Sequence, residues 1–313
     1  MPNQLKVSIA QISPVWLNKK ATTEKVLTYI DMAIAEDCNL ICFGETLLPG
    51  YPFWVELTDG ARFESSIQKD LYSHYLSQAV NIEGGDMEPI CRKAKEGNIA
   101  VYIGCAERGM DRGGHSVYCS LVFINQEGEI KSIHRKLMPT YEERLVWAIG
   151  DGNGLITHSL EGWTVGGLNC WENWMPLPRA ALYAQGENLH VSVWPGNVRN
   201  TTDLIPHIAK ESRSYVIAAN SLMHRDTITD DIPHHELIRG NANEWMGDGG
   251  SCLAEPSGKW IIEPCAKEEK LLIAEIDMEE VRRERHNFDP SGHYSRPDVI
   301  SINLNRDRQK IIK

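Results

Sequence analysis

Trp163-Thr164-Val165-Gly166-Gly167-Leu168-Asn169-Cys170-Trp171-Glu172-Asn173-Trp174 is the stretch on which the reading of this chain turns. Residues 163–168 form an apolar, strand-like run that ends in small residues, and the chain then passes through Cys170 toward a segment of helical character at 174–185. A cysteine at a strand-to-helix turn lies where free backbone N–H groups and the helix dipole favour a thiolate. The same N–H groups can hold a negatively charged intermediate. Most cysteines are small core hydrophobes, and context separates this one from the rest. Cys42, Cys105, Cys119 and Cys252 fall within or at the ends of apolar runs, while Cys38, Cys91 and Cys265 lie on helix or turn segments without such a turn.

Working outward, strands are expected at 7–12, 40–43, 101–106 and 117–124, with helices at 22–36, 67–82 and 87–96. The second half repeats the theme: strand 163–168, helix 177–185, strand 189–193, helix 204–214, strand 215–220, then strands at 251–255 and 271–276. That order gives an α/β fold, sheets carrying helices on their outer faces. At 313 residues and 42% hydrophobic, the chain can bury a large core and shows no linker-like stretch, so residues 1–313 read as one domain.

A net charge of -11 argues against nucleic acid as a partner. Arg282-Arg283-Glu284-Arg285 interleaves its charges as a solvated helix face would. No run approaches membrane-spanning length, and the start of the chain enters a strand without a basic, then apolar, signal region. The expectation is a cytoplasmic protein with no membrane role, its eight cysteines reduced.

A nucleophilic thiol needs a base and a group to steady developing charge. Glu45 ends the run Leu40-Ile41-Cys42-Phe43-Gly44, where burial would raise its pKa toward that of a useful base. Lys136 follows the short strand at 130–134 and precedes Leu137-Met138-Pro139-Thr140, placed to hold charge beside a thiolate or to polarise a substrate nitrogen. Taken singly, each reads more readily as an ordinary charge, Glu45 as an edge residue and Lys136 as a solvated loop lysine.

Together, three segments resemble the nitrilase superfamily, whose members carry a Glu-Lys-Cys triad. They are Phe43-Gly44-Glu45-Thr46 with Pro49-Gly50-Tyr51-Pro52, His134-Arg135-Lys136-Leu137-Met138-Pro139-Thr140, and Gly166-Gly167-Leu168-Asn169-Cys170-Trp171-Glu172-Asn173, in the family's order. The likeness extends to Ser192-Val193-Trp194-Pro195-Gly196, to Tyr215-Val216-Ile217-Ala218-Ala219-Asn220, and to Gly249-Gly250-Ser251. Trp171-Glu172, the run Tyr141-Glu142-Glu143-Arg144-Leu145-Val146-Trp147 and Gly292-His293-Tyr294-Ser295-Arg296-Pro297-Asp298 look like the nitrilase branch.

The resemblance implies a four-layer αββα sandwich with Glu45, Lys136 and Cys170 at strand ends, and a second glutamate of the site at Glu143. It implies hydrolysis of an organic nitrile to a carboxylic acid and ammonia through thioimidate and thioester intermediates, with no metal or other cofactor. A cyanide-hydrolysing enzyme is the nearest alternative, then an amidase or carbamoylase, and more remotely a scaffold or filament protein without catalysis. Tyr51, Trp147, Trp171, Trp194 and Pro195 flank the motifs as candidates to line the substrate pocket. A homodimer or larger homo-oligomer, extending in some nitrilases to a spiral filament, is also implied, with a tail from about residue 286 in its contacts.

Rival motifs are weaker. Gly150-Asp151-Gly152-Asn153-Gly154 does not open a helix after a strand, as a phosphate loop would, and His234-His235-Glu236 reads as an exposed loop lacking further metal ligands. No G-x-S-x-G is present.

Overall fold

The structure, a computed structural model, describes residues 3–312. Along the chain come β1 (Gln4–Gln11), α1 (Lys19–Ala35), β2 (Leu40–Phe43), α2 (Trp54–Leu57), α3 (Ser66–Gln78), α4 (Glu88–Glu96), β3 (Ala100–Gly109), β4 (Ser116–Ile124) and β5 (Ile130–Arg135). The second half holds β6 (His158–Leu160), β7 (Trp163–Asn169), α5 (Pro176–Tyr183), β8 (Leu189–Trp194), α6 (Val198–Thr202), α7 (Leu204–Ser212), β9 (Tyr215–Asn220), β10 (Leu222–His224), α8 (His235–Asn241), β11 (Trp245–Ala254), β12 (Trp260–Ala266), β13 (Lys270–Asp277) and α9 (Met278–Asn287).

These strands build two sheets, ordered β13-β1-β2-β3-β4-β5 and β10-β11-β9-β8-β7-β6, with β12 also paired to β11. In each sheet three central strands run parallel, β1-β2-β3 and β7-β8-β9, and antiparallel strands flank them. Near-continuous apolar runs such as Leu-Ile-Cys-Phe in β2 are what parallel strands covered on both faces require. Val7, Ile9, Leu40, Tyr102 and Phe123 from one sheet pack against Val165, Val191, Val193 and Ile217 from the other, and that buried layer joins the sheets face to face. Val26 and Ile30 of α1 with Ile90 of α4 cover the outside of the first sheet, and Ile205 and Ile208 of α7 cover the outside of the second. The result is the αββα sandwich expected from the sequence.

Several local expectations change. The helix at 67–82 stops at Gln78, because Val80 leaves it to pair with Glu107 at the edge of β3. His235 opens α8 instead of lying in a loop, and its neighbour His234 contacts Asp70 at 2.9 Å. β12 carries alternating half-buried and exposed residues, too weak an apolar pattern to stand out. After α9 the chain runs without helix or strand back to the glycine-rich loop. There Arg308 pairs with Asp151 at 3.0 Å and the Gln309 N–H donates to the same carboxylate at 2.9 Å. Among the described residues no helix is long and apolar enough to cross a membrane.

Candidate active site

Glu45 leaves the end of β2 on a loop that reverses at Thr46, whose φ of 44° is left-handed. The Glu45 N–H donates to the Trp194 carbonyl at the end of β8 (3.1 Å), tying the loop across from one sheet to the other where the carboxylate emerges. Gly104 in neighbouring β3 makes room for that loop, since a Cβ there would sit 2.7 Å from Glu45 Cα.

Lys136 is the residue after β5. Its N–H donates to the Cys119 carbonyl on β4 (2.7 Å) and its carbonyl accepts from the Gly150 N–H (2.9 Å). Glycine is required at that contact, because a Cβ at 150 would meet Lys136 O at 2.4 Å. Held so, the buried Nζ reaches Glu45 Oε1 at 2.9 Å and Glu143 Oε2 at 2.7 Å. The Trp147 ring lies 5.6 Å from the ammonium. Glu143 sits in a 3-10 turn, Tyr141–Leu145, its Oε2 also accepting from the Thr140 N–H (2.6 Å) and its Oε1 from the Tyr51 hydroxyl (2.9 Å). Glu142 accepts from the same hydroxyl at 3.1 Å, whereas Lys136 pairs with Glu143.

Cys170 opens a single 3-10 turn, Cys170–Trp174, at a φ of 44°. A left-handed backbone at a non-glycine residue persists only where its surroundings hold it. Here Asn173 Nδ2 donates to the Cys170 carbonyl at 2.8 Å, and Asn173 is itself bound by His190 at 2.8 Å. The Cys170 Sγ and one oxygen each of Glu45 and Glu143 lie within 4.8 Å of one another. The Lys136 ammonium contacts both carboxylates, so the chain itself supplies the positive charge they need.

Burial, partly offset by Lys136, pushes the Glu45 carboxyl up to about 7. Burial works against charge on Lys136 too, but Glu45, the cysteine and Glu143 outweigh it and hold the ammonium well above the usual lysine range. The Cys170 thiol is pushed well above its ordinary value by burial and by the two glutamates, with Lys136 and the Trp171 N–H pulling the other way. These surroundings favour the thiol over the thiolate, and the helix expected after the cysteine does not reach it: α5 begins only at Pro176, beyond the 3-10 turn.

Cys170 and Glu143 line a cavity of about 820 Å³ whose walls include Tyr51, Phe53, Trp171, Pro195 and Met246. Three of the aromatic and proline candidates therefore face it, and two do not. Trp194 is fully buried, packed with Leu204 and Ile208 behind the Cys170 turn, its Nε1 donating to Ser192 Oγ. Trp194, the last residue of β8, faces the core, and Pro195, just past the strand end, takes the cavity side. Trp147 stands behind Lys136, edge-on to Tyr51 at 5.4 Å and bonded to the Tyr75 hydroxyl at 3.3 Å.

The model of the carbon-nitrogen hydrolase family matches residues 6–286. The chain belongs to that family. Among relatives, it is 36% identical to a nitrilase 2 of an unknown prokaryotic organism, over 99% of this chain and 95% of the other. It is 32% identical to an aliphatic nitrilase of Rhodococcus rhodochrous (96% and 79%) and 30% identical to nitrilase 2 of Arabidopsis thaliana (98% and 90%). In fold it is similar to a carbon-nitrogen hydrolase from Helicobacter pylori G27, with a TM-score of 0.71 at 18% identity over 94% of this chain and 96% of that one.

Two contacts of this carbon-nitrogen hydrolase escape the sequence reading. Cys119, taken for strand core, directs its Sγ to Glu45 Oε1 at 3.3 Å. The signal available was its place on β4 beside the lysine strand. Glu172, read as a marker of the branch, buries its carboxylate against residues 35 and 38 positions away, which no local pattern announces.

Proposed function

We propose that this carbon-nitrogen hydrolase is a nitrilase, converting an organic nitrile to its carboxylic acid and ammonia. The observation that carries the reading is the buried Lys136 ammonium fixed between Glu45 and Glu143, with the Cys170 thiol beside them at a cavity wall. A nitrile needs a soft nucleophile at carbon and a cationic donor near nitrogen. Glu45 Oε2 has no hydrogen-bond partner, so it is free to take the thiol proton as sulfur attacks. Sulfur bonds to the nitrile carbon, and the proton passes to nitrogen, giving a thioimidate steadied by Lys136 and the Trp171 N–H. Water, deprotonated by Glu45, adds to the carbon, the adduct expels ammonia, and a thioester remains. A second water releases the acid and restores the thiol. Glu143 keeps Lys136 protonated throughout. Tyr51, Trp171 and Pro195 shape the pocket for the substrate's organic group, and a volume of about 820 Å³ suits a group far larger than cyanide.

The chain acts as one domain in the cytoplasm, where its eight unpaired cysteines stay reduced. It works as a homo-oligomer. Trp174 and Leu177, exposed to 48% and 71% beside the cysteine turn, offer apolar surface to a second copy, and the tail after α9 adds to that contact. Light scattering on the purified protein separates monomer, dimer and filament.

The deciding experiment is ammonia release across aliphatic nitriles, aryl nitriles, arylacetonitriles, cyanide and the matching amides, with Cys170→Ala alongside. Release from organic nitriles that vanishes in the variant supports the reading. Release from amides alone moves the chain to the amidase branch, and silence across the panel defeats catalysis.

A further inference from the structure

The proposed mechanism leaves one buried carboxylate beside the reacting groups without a task. Glu172 lies two residues beyond Cys170 and is wholly enclosed. Its Oε1 accepts from the Leu137 N–H at 2.6 Å and its Oε2 from the Asn169 N–H at 2.8 Å. His134 Nε2 lies 3.1 and 3.0 Å from the two oxygens, and because an ionised carboxylate can only accept, the imidazole donates. Burial favours the neutral acid, but His134 and the two backbone N–H groups outweigh it and hold the carboxyl below the ordinary glutamate value.

The positions of those donors matter. Leu137 directly follows Lys136, and Asn169 directly precedes Cys170. One carboxylate thus grips the main chain flanking the ammonium and the main chain flanking the thiol. The Lys136 main chain otherwise hydrogen-bonds to Cys119 and Gly150, and its ammonium to Glu45 and Glu143. Asn173 and His190 stiffen the cysteine turn from within without reaching the lysine strand. The other side-chain link between the two elements, Asn169 Nδ2 to the His134 carbonyl, is 3.5 Å long.

We propose that Glu172, oriented by His134, is a positioning residue that sets the spacing between Lys136 and Cys170. It touches no substrate and acts through the lysine. The proposal rests on Cys170 as the nucleophile, and its test needs no nitrile.

The test is the rate at which iodoacetamide alkylates Cys170, the thiolate displacing iodide, followed by peptide mass from about pH 5 to 9. Groups facing the thiol are Glu45, Lys136, Glu143 and the Tyr51 hydroxyl. In the wild type the acid side of the profile follows Glu45. Glu172→Gln sets an amide N–H against a backbone N–H and loosens the lysine. Alkylation then slows at least about tenfold near pH 7.5, and its acid limb moves upward as Lys136 ceases to draw down Glu45. In a Lys136→Met background the same substitution adds nothing, because its effect runs through the lysine. His134→Leu reproduces the slowing and His134→Gln, which retains a donor, restores most of the rate. That pair carries the test if Glu172→Gln fails to fold. Two results overturn the proposal: wild-type alkylation and an unmoved limb in a folded Glu172→Gln protein that merely melts earlier, or equal slowing with Lys136 already removed. Silence toward nitriles would defeat the function proposed above and leave this measurement standing.

Discussion

Glu45 and Glu172 are both fully buried carboxylates near Lys136 and Cys170, and their surroundings differ in their charges and in their hydrogen bonds. Glu172 has donors on both oxygens, from two backbone N–H groups and an imidazole. Glu45 has Lys136 and the Cys119 thiol on Oε1 and nothing on Oε2. The completed carboxylate is held below its ordinary pKa, and the incomplete one is pushed up to about 7. Burial is common to both, so the neighbouring charges and hydrogen bonds decide which glutamate is scaffold and which is base: Glu143 pushes Glu45 up, while His134 and two backbone N–H groups bring Glu172 down.

The sharpest way to break this contrast is to remove the atoms served by the incomplete side. Cys170→Ala is expected to lower nitrile turnover by at least about 10⁴-fold with the fold intact, and Glu45→Gln by about 10²- to 10⁴-fold, both read as kcat in steady-state assays. Calorimetry should then show Glu45→Gln melting no lower than the wild type, because it discards a buried, half-satisfied acid.

Glu172→Gln should reverse that balance: about 10- to 100-fold in kcat with KM little changed, and a clear loss of melting temperature. Leaving buried donors facing one another costs roughly 1–3 kcal/mol, which is several degrees at about 2–4 °C per kcal/mol for a large domain. Equal melting temperatures for the two glutamine variants would erase the distinction.

The same contrast sets the pH behaviour. Proton abstraction requires ionised Glu45, so kcat/KM should fall as pH drops through about 7. For stability the signs are opposite. The raised Glu45 penalises the folded state fully above about 7, and the penalty fades as pH falls toward the ordinary glutamate value. The lowered Glu172 contributes stability above that ordinary value, lost only as pH falls through its depressed folded value. Between about pH 8 and 5 the wild type should therefore gain stability relative to Glu45→Gln, read from melting curves at matched pH. The smallest effect belongs to Cys119→Ala. Without its S–H, the acid limb of kcat/KM moves upward by a fraction of a pH unit, with kcat nearly unchanged.

Much of this was legible in the sequence, and the limit has a physical reason. Glu45 and Cys170 follow the apolar strands β2 and β7 and Lys136 follows the short, mixed strand β5, and strand ends carry their polar residues to one edge of a sandwich. Apolar periodicity likewise gives the order of most strands and helices along the chain, but not their order in the sheets. Glu172 and Cys119 were visible as residues but not as contacts, since each finds its partner only when the lysine strand closes against another element. Trp194 misled because its place in a motif says nothing about which face of β8 it occupies. The 3-10 turn after Cys170 was hidden because helical character was read from residue 174 onward, whereas Pro176 and Pro178 mark the start of α5 at 176 and leave Cys170–Trp174 as a separate turn.

The surroundings that favour the Cys170 thiol over its thiolate bear on how the protein ages. Peroxide oxidises thiolates to sulfenic and then sulfinic acid far faster than it attacks thiols. A sulfur held toward its protonated form between turnovers is held toward the less reactive form. Oxidative inactivation should then track turnover more than storage, and the stored protein should keep its activity in air without added reductant.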